Sequence, residues 1–253
     1  MSGLLRSDFY KLSKLKSFPI CLLICVAFSV ASIFILDFSN QVLGGPELQF
    51  ADQIFPAFAN NSSLFFCIVI SIFAAGEFGF GTIKNTASRG FSRSAIYLSK
   101  LLVSFVITVV FVLASVLGYG VSAAALWGLG DLPSGFWGNL ALLAALQLLL
   151  NLAFASVFVM ISMLVRQTGG AIAINICILQ FAGTFVSLAQ YALQYFFEVE
   201  IHLSNYLISG NIALLSGGFP QPEQEVQALV VGVVYLAAAA VLGIWSFRRR
   251  DVK

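Results

Sequence analysis

All lysine and arginine residues of this chain fall into four short segments, and the stretches between these segments are almost purely apolar. The 13 basic residues lie at 6–16, 84–100, 166 and 248–253. Cytoplasmic segments of membrane proteins retain lysine and arginine, and this bias sets the orientation of the spanning helices. The pattern therefore predicts a chain that crosses a membrane several times, with every basic segment on the cytoplasmic side.

The composition supports a membrane protein. Of the 253 residues, 60% are hydrophobic and only 9% are charged, whereas a soluble domain carries about 25% charged residues. Because the basic residues are confined to the flanks of apolar runs, we expect no nucleic-acid partner. The 4 cysteines lie inside apolar runs, so we expect neither a disulfide framework nor a metal site.

Six apolar segments are long enough to cross the hydrocarbon core, which requires about 20 helical residues. They run at approximately 18–38, 55–76, 101–127, 138–165, 168–190 and 226–246. An even number of spans places both termini on the same side. We therefore expect one all-α polytopic domain over residues 1–253, with both termini cytoplasmic, in the cytoplasmic (plasma) membrane of a bacterium.

Three further segments do not fit a spanning helix. Residues 1–17 place leucines among basic residues, which is typical of an amphipathic helix on the inner membrane surface. Residues 77–100 form a cytoplasmic loop. Residues 191–225 begin too apolar for a plain loop and too broken for a span, so they predict one or two short helices re-entering the outer leaflet.

The predicted spans carry no charged residue near the middle of the membrane. A charge there costs about 2.5–3.5 kcal/mol or more and is usually kept for proton or ion coupling. The sequence therefore disfavours an ion-coupled carrier. It also contains no Walker A motif, so we expect this chain to bind no ATP itself. We predict no catalytic residues, and the polypeptide is expected not to be an enzyme on its own.

The loop after the second span is the most distinctive part of the sequence. Its glycines break the span, a short polar helix is predicted from Thr82 to Ser88, and Gly90 suits the end of that helix. Ser92 can cap the next helix. Three short motifs follow one another: Glu77-x3-Gly81-Thr82-x-Lys84-Asn85, Arg89-Gly90-x-Ser92-Arg93 and Tyr97-x-Ser99-Lys100.

These motifs resemble the corresponding loop of type-2 ABC exporter permeases. The resemblance implies a coupling helix that docks on a separate ATPase subunit, present in two copies, which binds ATP and Mg. It also implies a second permease, either another copy of this chain or a homologue. The residues implied at the ATPase contact are Glu77, Gly81, Thr82, Lys84, Asn85, Arg89, Gly90 and Arg93. On the residues alone, each cation could instead contact lipid headgroups.

Polar side chains recur at helical spacing inside the later spans. They indicate either helix packing or the lining of a translocation path. The residues considered for the path are Asn151, Asn175, Gln180, Thr184 and Ser187. Glu198 and His202, one turn apart in the outer segment, form a candidate outer gate, with a hydrated surface helix as the alternative.

For the exporter that the resemblance implies, the uncharged spans favour an amphiphilic or hydrophobic substrate, such as an antimicrobial peptide, a lipid-like molecule or a drug. The main alternative from another class is a non-transporting immunity or scaffold protein that binds a peptide at the outer surface.

Overall fold

The computed structural model describes residues 2–46, 48–55, 57, 62–79, 91–130, 132–197 and 202–249. Within these ranges every regular element is a helix. The elements are α1 (Ser2–Lys14), α2 (Ser17–Leu43), α3 (Phe50–Gln53), α4 (Ser62–Gly79), α5 (Arg93–Trp127), α6 (Phe136–Val165), α7 (Thr168–Phe197), a 3-10 turn (Leu203–Tyr206), α8 (Ile208–Leu215) and α9 (Pro222–Arg249). The predicted all-helical fold is thus confirmed for the described part of the chain.

Five of these helices, α2, α5, α6, α7 and α9, are long and apolar enough to cross a membrane. Helix α4 is apolar but shorter. It begins within the second predicted span and continues past the predicted end at 76 to Gly79. Residues 56 and 58–61, within the predicted span, lie outside the described residues.

Helix α5 begins at Arg93, directly after Ser92, the residue expected to cap the next helix. The helix therefore starts before the predicted membrane span at 101 and includes Arg93 and Lys100, which lie within the predicted loop 77–100. Ser92 caps the helix as expected, because its hydroxyl accepts a hydrogen bond from the Ala95 amide at 3.3 Å. Residues 80–90, between α4 and α5, lie outside the described residues.

A tight turn joins α6 to α7. Arg166 ends α6 with φ of 60°, a left-handed conformation uncommon for residues other than glycine, and its amide donates to Ser162 O. Helix α7 then extends to Phe197, beyond the predicted end at 190. The predicted short helices after it are present as the 3-10 turn and α8.

Helix α6 is the centre of the bundle. In its most apolar stretch 61% of residues are buried, compared with 11% for α7, and α6 packs against α4, α5, α7 and α9. Fully buried aromatic side chains such as Phe66, Phe111 and Phe158 form the main core. Large apolar side chains on α2, α5, α7 and α9 face outward, as expected for helices whose surrounding solvent is lipid.

Candidate functional site

A buried cluster of charged side chains lies where α4 ends and α5 begins. We call Asp8, Lys11, Glu77, Ser99 and Lys100 the charge cluster. Asp8 and Lys100 are each 1% exposed, and Glu77 is 8% exposed. The cluster joins three helices, because Asp8 and Lys11 belong to α1, Glu77 to α4, and the remaining two residues to α5.

Lys100 is the centre of this cluster. Its Nζ atom donates to Asp8 Oδ1 at 2.9 Å and to Glu77 Oε1 at 2.6 Å. The same ammonium lies 4.2 Å from the centroid of the Phe73 ring, a cation–π contact. Two hydrogen bonds and one cation–π contact from α1 and α4 therefore compensate the cost of burying this cation.

The other two members complete the hydrogen bonding. Lys11 Nζ lies 2.7 Å from Glu77 Oε1 and 3.7 Å from Asp8 Oδ1. Ser99 donates its hydroxyl proton to Asp8 Oδ2 at 2.6 Å. Two carboxylates and two ammonium groups thus meet with no net charge. Charge-assisted hydrogen bonds of this length are stronger than neutral ones, so the geometry defines how α1 sits against the ends of α4 and α5.

A second set of contacts joins the same end of the bundle to α9. Arg93 Nη1 donates to the Arg248 carbonyl at 3.1 Å, and Arg248 Nε donates to Ser94 Oγ at 2.9 Å. Phe78, in the last turn of α4, lies under the Arg166 guanidinium at 5.6 Å and edge-on to Phe247 at 6.5 Å. The last turn of α4 and the first turn of α5 are therefore both held against the rest of the bundle.

Most of the residues implied at the ATPase contact fall in the 80–90 segment. Gly81, Thr82, Lys84, Asn85, Arg89 and Gly90 lie outside the described residues. Of the remaining two, Glu77 is part of the charge cluster and Arg93 contacts the end of α9. These two residues lie in the described helices on either side of residues 80–90.

The candidate path residues separate into a buried pair and an exposed group. Asn175 is fully buried, and its amide donates to Ser71 Oγ at 2.8 Å and Ser162 Oγ at 3.1 Å, which connects α7 to α4 and α6. Asn151 is 3% exposed and donates to Gln147 O, one turn earlier in its own helix, at 2.8 Å. Asn175 therefore joins three helices, as expected for a polar residue in helix packing, whereas the side-chain bond of Asn151 stays within its own helix.

Gln180, Thr184 and Ser187 are exposed on α7. Ser187 also lines an open groove of about 480 Å³ between α7 and the segment 204–214, and Gln180 lines a neighbouring one. The structure therefore brings these three residues onto a surface and leaves Asn151 and Asn175 inside the bundle.

The candidate outer gate stays a prediction. His202 is exposed just before the 3-10 turn, while Glu198 lies outside the described residues. Among the residues that are described, no group of three or more His, Cys, Asp or Glu side chains could hold a metal ion.

Sequence reasoning overlooked Asp8 and placed Lys100 in a loop. A signal for Asp8 was present, because Leu4, Asp8 and Leu12 follow one another at the four-residue spacing of one helix face. An acid in the middle of a leucine stripe either weakens the stripe or has a buried cation as partner. Here Leu4 and Leu12 pack into the protein core and Asp8 meets Lys100.

Comparison with known proteins gives one result for the chain as a whole. No curated protein matches it. A family model described as "Protein of unknown function (DUF2705)" matches residues 18–253. The match begins within α2 and includes every later element. Since it covers most of the sequence, the chain belongs to the DUF2705 family.

Proposed function

We propose that this chain is the membrane-spanning permease subunit of an ATP-driven ABC exporter. Its substrate is amphiphilic or hydrophobic, and export runs outward across the cytoplasmic membrane. The observation that carries the proposal is the charge cluster at the base of a loop whose sequence resembles a coupling loop. A loop that receives force from another subunit requires a stiff connection to the spanning helices.

The charge cluster supplies such a connection in this proposal. Glu77 lies in the last turn of α4 and Lys100 in the second turn of α5, on either side of the 80–90 segment. Their 2.6 Å contact ties the two ends of the loop to each other, and the contacts with Asp8 tie both to α1. A displacement of the loop by a partner ATPase would thus move three helices together.

The complete complex in this proposal contains two permeases and two ATPase subunits. ATP and Mg bind to the ATPases, whose closure moves the 82–93 segment. The shorter helix α4 also spans the membrane in this proposal, which gives six spans in total. Both termini and all basic segments then lie in the cytoplasm. Substrate leaves between the two permeases, and the chain itself carries out no catalytic step.

The surface of α7 supports a second permease. This helix is buried over only 11% of its most apolar stretch, yet it exposes Gln180, Thr184 and Ser187 beside Phe181 and Phe185. An amide that faces hydrocarbon without a partner is costly. A second copy or a homologous permease would cover this face, and the polar side chains would then line the exit path.

Purification from native membranes tests the proposal. A tagged chain extracted in mild detergent should carry an ATP-binding-cassette subunit, identified by mass spectrometry, and show ATPase activity stimulated by the substrate. The double variant K84E/R89E should reduce the recovered ATPase at least about tenfold, as expected when charged contacts in an interface are reversed. The matched control R250E/K253E changes two charges on the same side of the membrane and should leave recovery unchanged.

The outcomes separate the possible functions. Recovery of an ATPase that does not depend on the loop charges would contradict the coupling assignment. Purification of the chain without any ATPase, together with binding of a peptide at its outer surface, would instead indicate the immunity or scaffold function.

A further inference from the structure

The outward face of α1 carries exposed basic and aromatic side chains and no acid. Arg6 and Lys14 are exposed on α1, and Lys16 is exposed just after it. On the same outward side Phe9 is 42% and Tyr10 is 65% exposed. The single acid of this helix, Asp8, points the other way and is 1% exposed. The outward face therefore carries a positive charge that no acidic side chain of this helix offsets.

The opposite face of α1 is already occupied by the protein. Leu4 and Leu12 pack into the main core, and Asp8 bonds to Ser99 and Lys100. An amphipathic helix on a membrane normally buries its leucines in lipid. Here the leucines are buried in the protein, so the aromatic and basic side chains are left to contact the membrane.

The position of α1 in the chain places its outward face at the membrane interface. Helix α1 ends at Lys14 and α2, an apolar helix of 27 residues, begins at Ser17. The outward face thus lies next to the point where a spanning helix enters the bilayer. Tyrosine and long basic side chains are typical of this interfacial layer. The Lys14 ammonium lies 5.7 Å from the centroid of the Tyr10 ring, so the two form one continuous surface.

We propose that the outward face of α1 is a binding surface for anionic phospholipid headgroups of the inner leaflet. Arg6, Lys14 and Lys16 bind the phosphates, and Phe9 and Tyr10 insert between headgroups. Because the other face of the same helix holds Asp8 against Lys100, bound lipid presses α1 onto the charge cluster. The inference uses the membrane orientation proposed above but does not require an ATPase.

Hydrogen–deuterium exchange of the purified full-length chain in nanodiscs tests this surface. One set of nanodiscs contains phosphatidylcholine alone, and the other contains equal parts of phosphatidylcholine and phosphatidylglycerol. Each basic residue near an anionic surface contributes about 1 kcal/mol, so we expect amides 4–14 to exchange about tenfold or more slowly with phosphatidylglycerol. The difference should shrink at 0.5 M salt, where the Debye length falls to roughly 4 Å. Amides of α8, at the other end of the bundle, should be unaffected.

Three variants make the test specific. Neutralisation in R6Q/K14Q/K16Q should abolish the difference between the two lipids, whereas R6K/K14R/K16R, which keeps the charge, should retain it. The control R249Q/R250Q/K253Q removes the same charge from the chain end and should also retain it. Equal exchange of α1 in the two lipids, or equal loss in the neutralised variant and the C-terminal control, would overturn the proposal.

One arm distinguishes lipid from a protein partner. If α1 becomes protected in phosphatidylcholine alone once an ATPase subunit that copurifies with the chain is added, and phosphatidylglycerol has no effect, the face binds the ATPase and the lipid proposal is wrong. Absence of an ATPase partner would contradict the proposed exporter and leave the lipid result intact.

Discussion

Replacing Lys100 with methionine tests the charge cluster most directly. Methionine retains a flexible aliphatic stem of similar length but has no ammonium group. Lys100 is 1% exposed, and its Nζ atom lies 2.9 Å from Asp8 and 2.6 Å from Glu77. The variant would leave these two carboxylates buried around an apolar side chain.

The size of the effect follows from the partners that remain. Removing one member of a buried ion pair costs about 3–5 kcal/mol, because the other member stays buried without compensation. Lys11 still contacts Glu77 at 2.7 Å, but its side chain is 35% exposed and reaches Asp8 only at 3.7 Å. We therefore expect K100M to lower the free energy of unfolding by about 3 kcal/mol, near the bottom of that range.

A second substitution shows whether the loss comes from the unpaired acid. In D8N/K100M one charge of each sign is removed, and the asparagine can still accept the Ser99 hydroxyl that now lies 2.6 Å from Asp8. The double variant should therefore be more stable than K100M alone. Interaction energies between residues in one network are about 0.5–3 kcal/mol, and we expect relief of about 1–2 kcal/mol on the same grounds.

These differences in stability are measured by unfolding the purified chain in mixed detergent micelles. Sodium dodecyl sulfate is titrated in, and unfolding is followed by circular dichroism. The control K14M removes an exposed cation from α1 and should change stability by less than about 0.5 kcal/mol. The reasoning is refuted if K100M is no less stable than K14M, or if D8N/K100M is less stable than K100M.

Two further predictions concern the packing of the helices. N175A should lower the free energy of unfolding by about 1 kcal/mol, the usual size of a hydrogen bond between membrane helices. It should not change the substrate-stimulated ATPase activity per folded complex. Q180A should instead change the response to substrate and leave the stability unchanged. Thermal unfolding and ATPase assays on the same preparations would contradict this separation if N175A altered the substrate profile at full stability. G243A should lower the free energy of unfolding by about 1–3 kcal/mol, because the new methyl group would overlap the fully buried Tyr97 and force side chains to move. In G138A the new methyl group meets open space in α6, so this variant should be neutral or slightly stabilising in the same thermal unfolding experiment.

The sequence was most informative about the spanning helices, because long apolar runs leave few alternatives to a helix in lipid. The same reasoning assigned Lys100 to the cytoplasmic loop 77–100. Four cations between 84 and 100 looked like one exposed loop, and only the fold shows that Lys100 enters the bundle. Its burial depends on Asp8, which is remote in the sequence, and no local pattern reveals which cation such an acid will meet.

Helical periodicity was similarly limited for the polar residues of α7. It places Gln180, Thr184 and Ser187 on one face, and the structure has all three exposed. Periodicity does not say what a face packs against, however. Asn175, on the same helix, meets Ser71 and Ser162 because α4 and α6 cover that side of α7. The difference between packing and lining therefore comes from tertiary contacts.

We interpret the charge cluster as a determinant of geometry more than of stability. Buried ion pairs often contribute no more to stability than well-packed apolar side chains of the same volume, whereas they tolerate little displacement of their partners. Apolar residues at the same positions would allow α1, α4 and α5 to slide, since contacts between methyl groups have no preferred direction. Lys100 meets both Asp8 and Glu77 only in one arrangement of the three helices. In the proposed exporter, a loop that transmits movement needs a base of this kind, and the charge cluster at the end of α4 and the start of α5 would supply it.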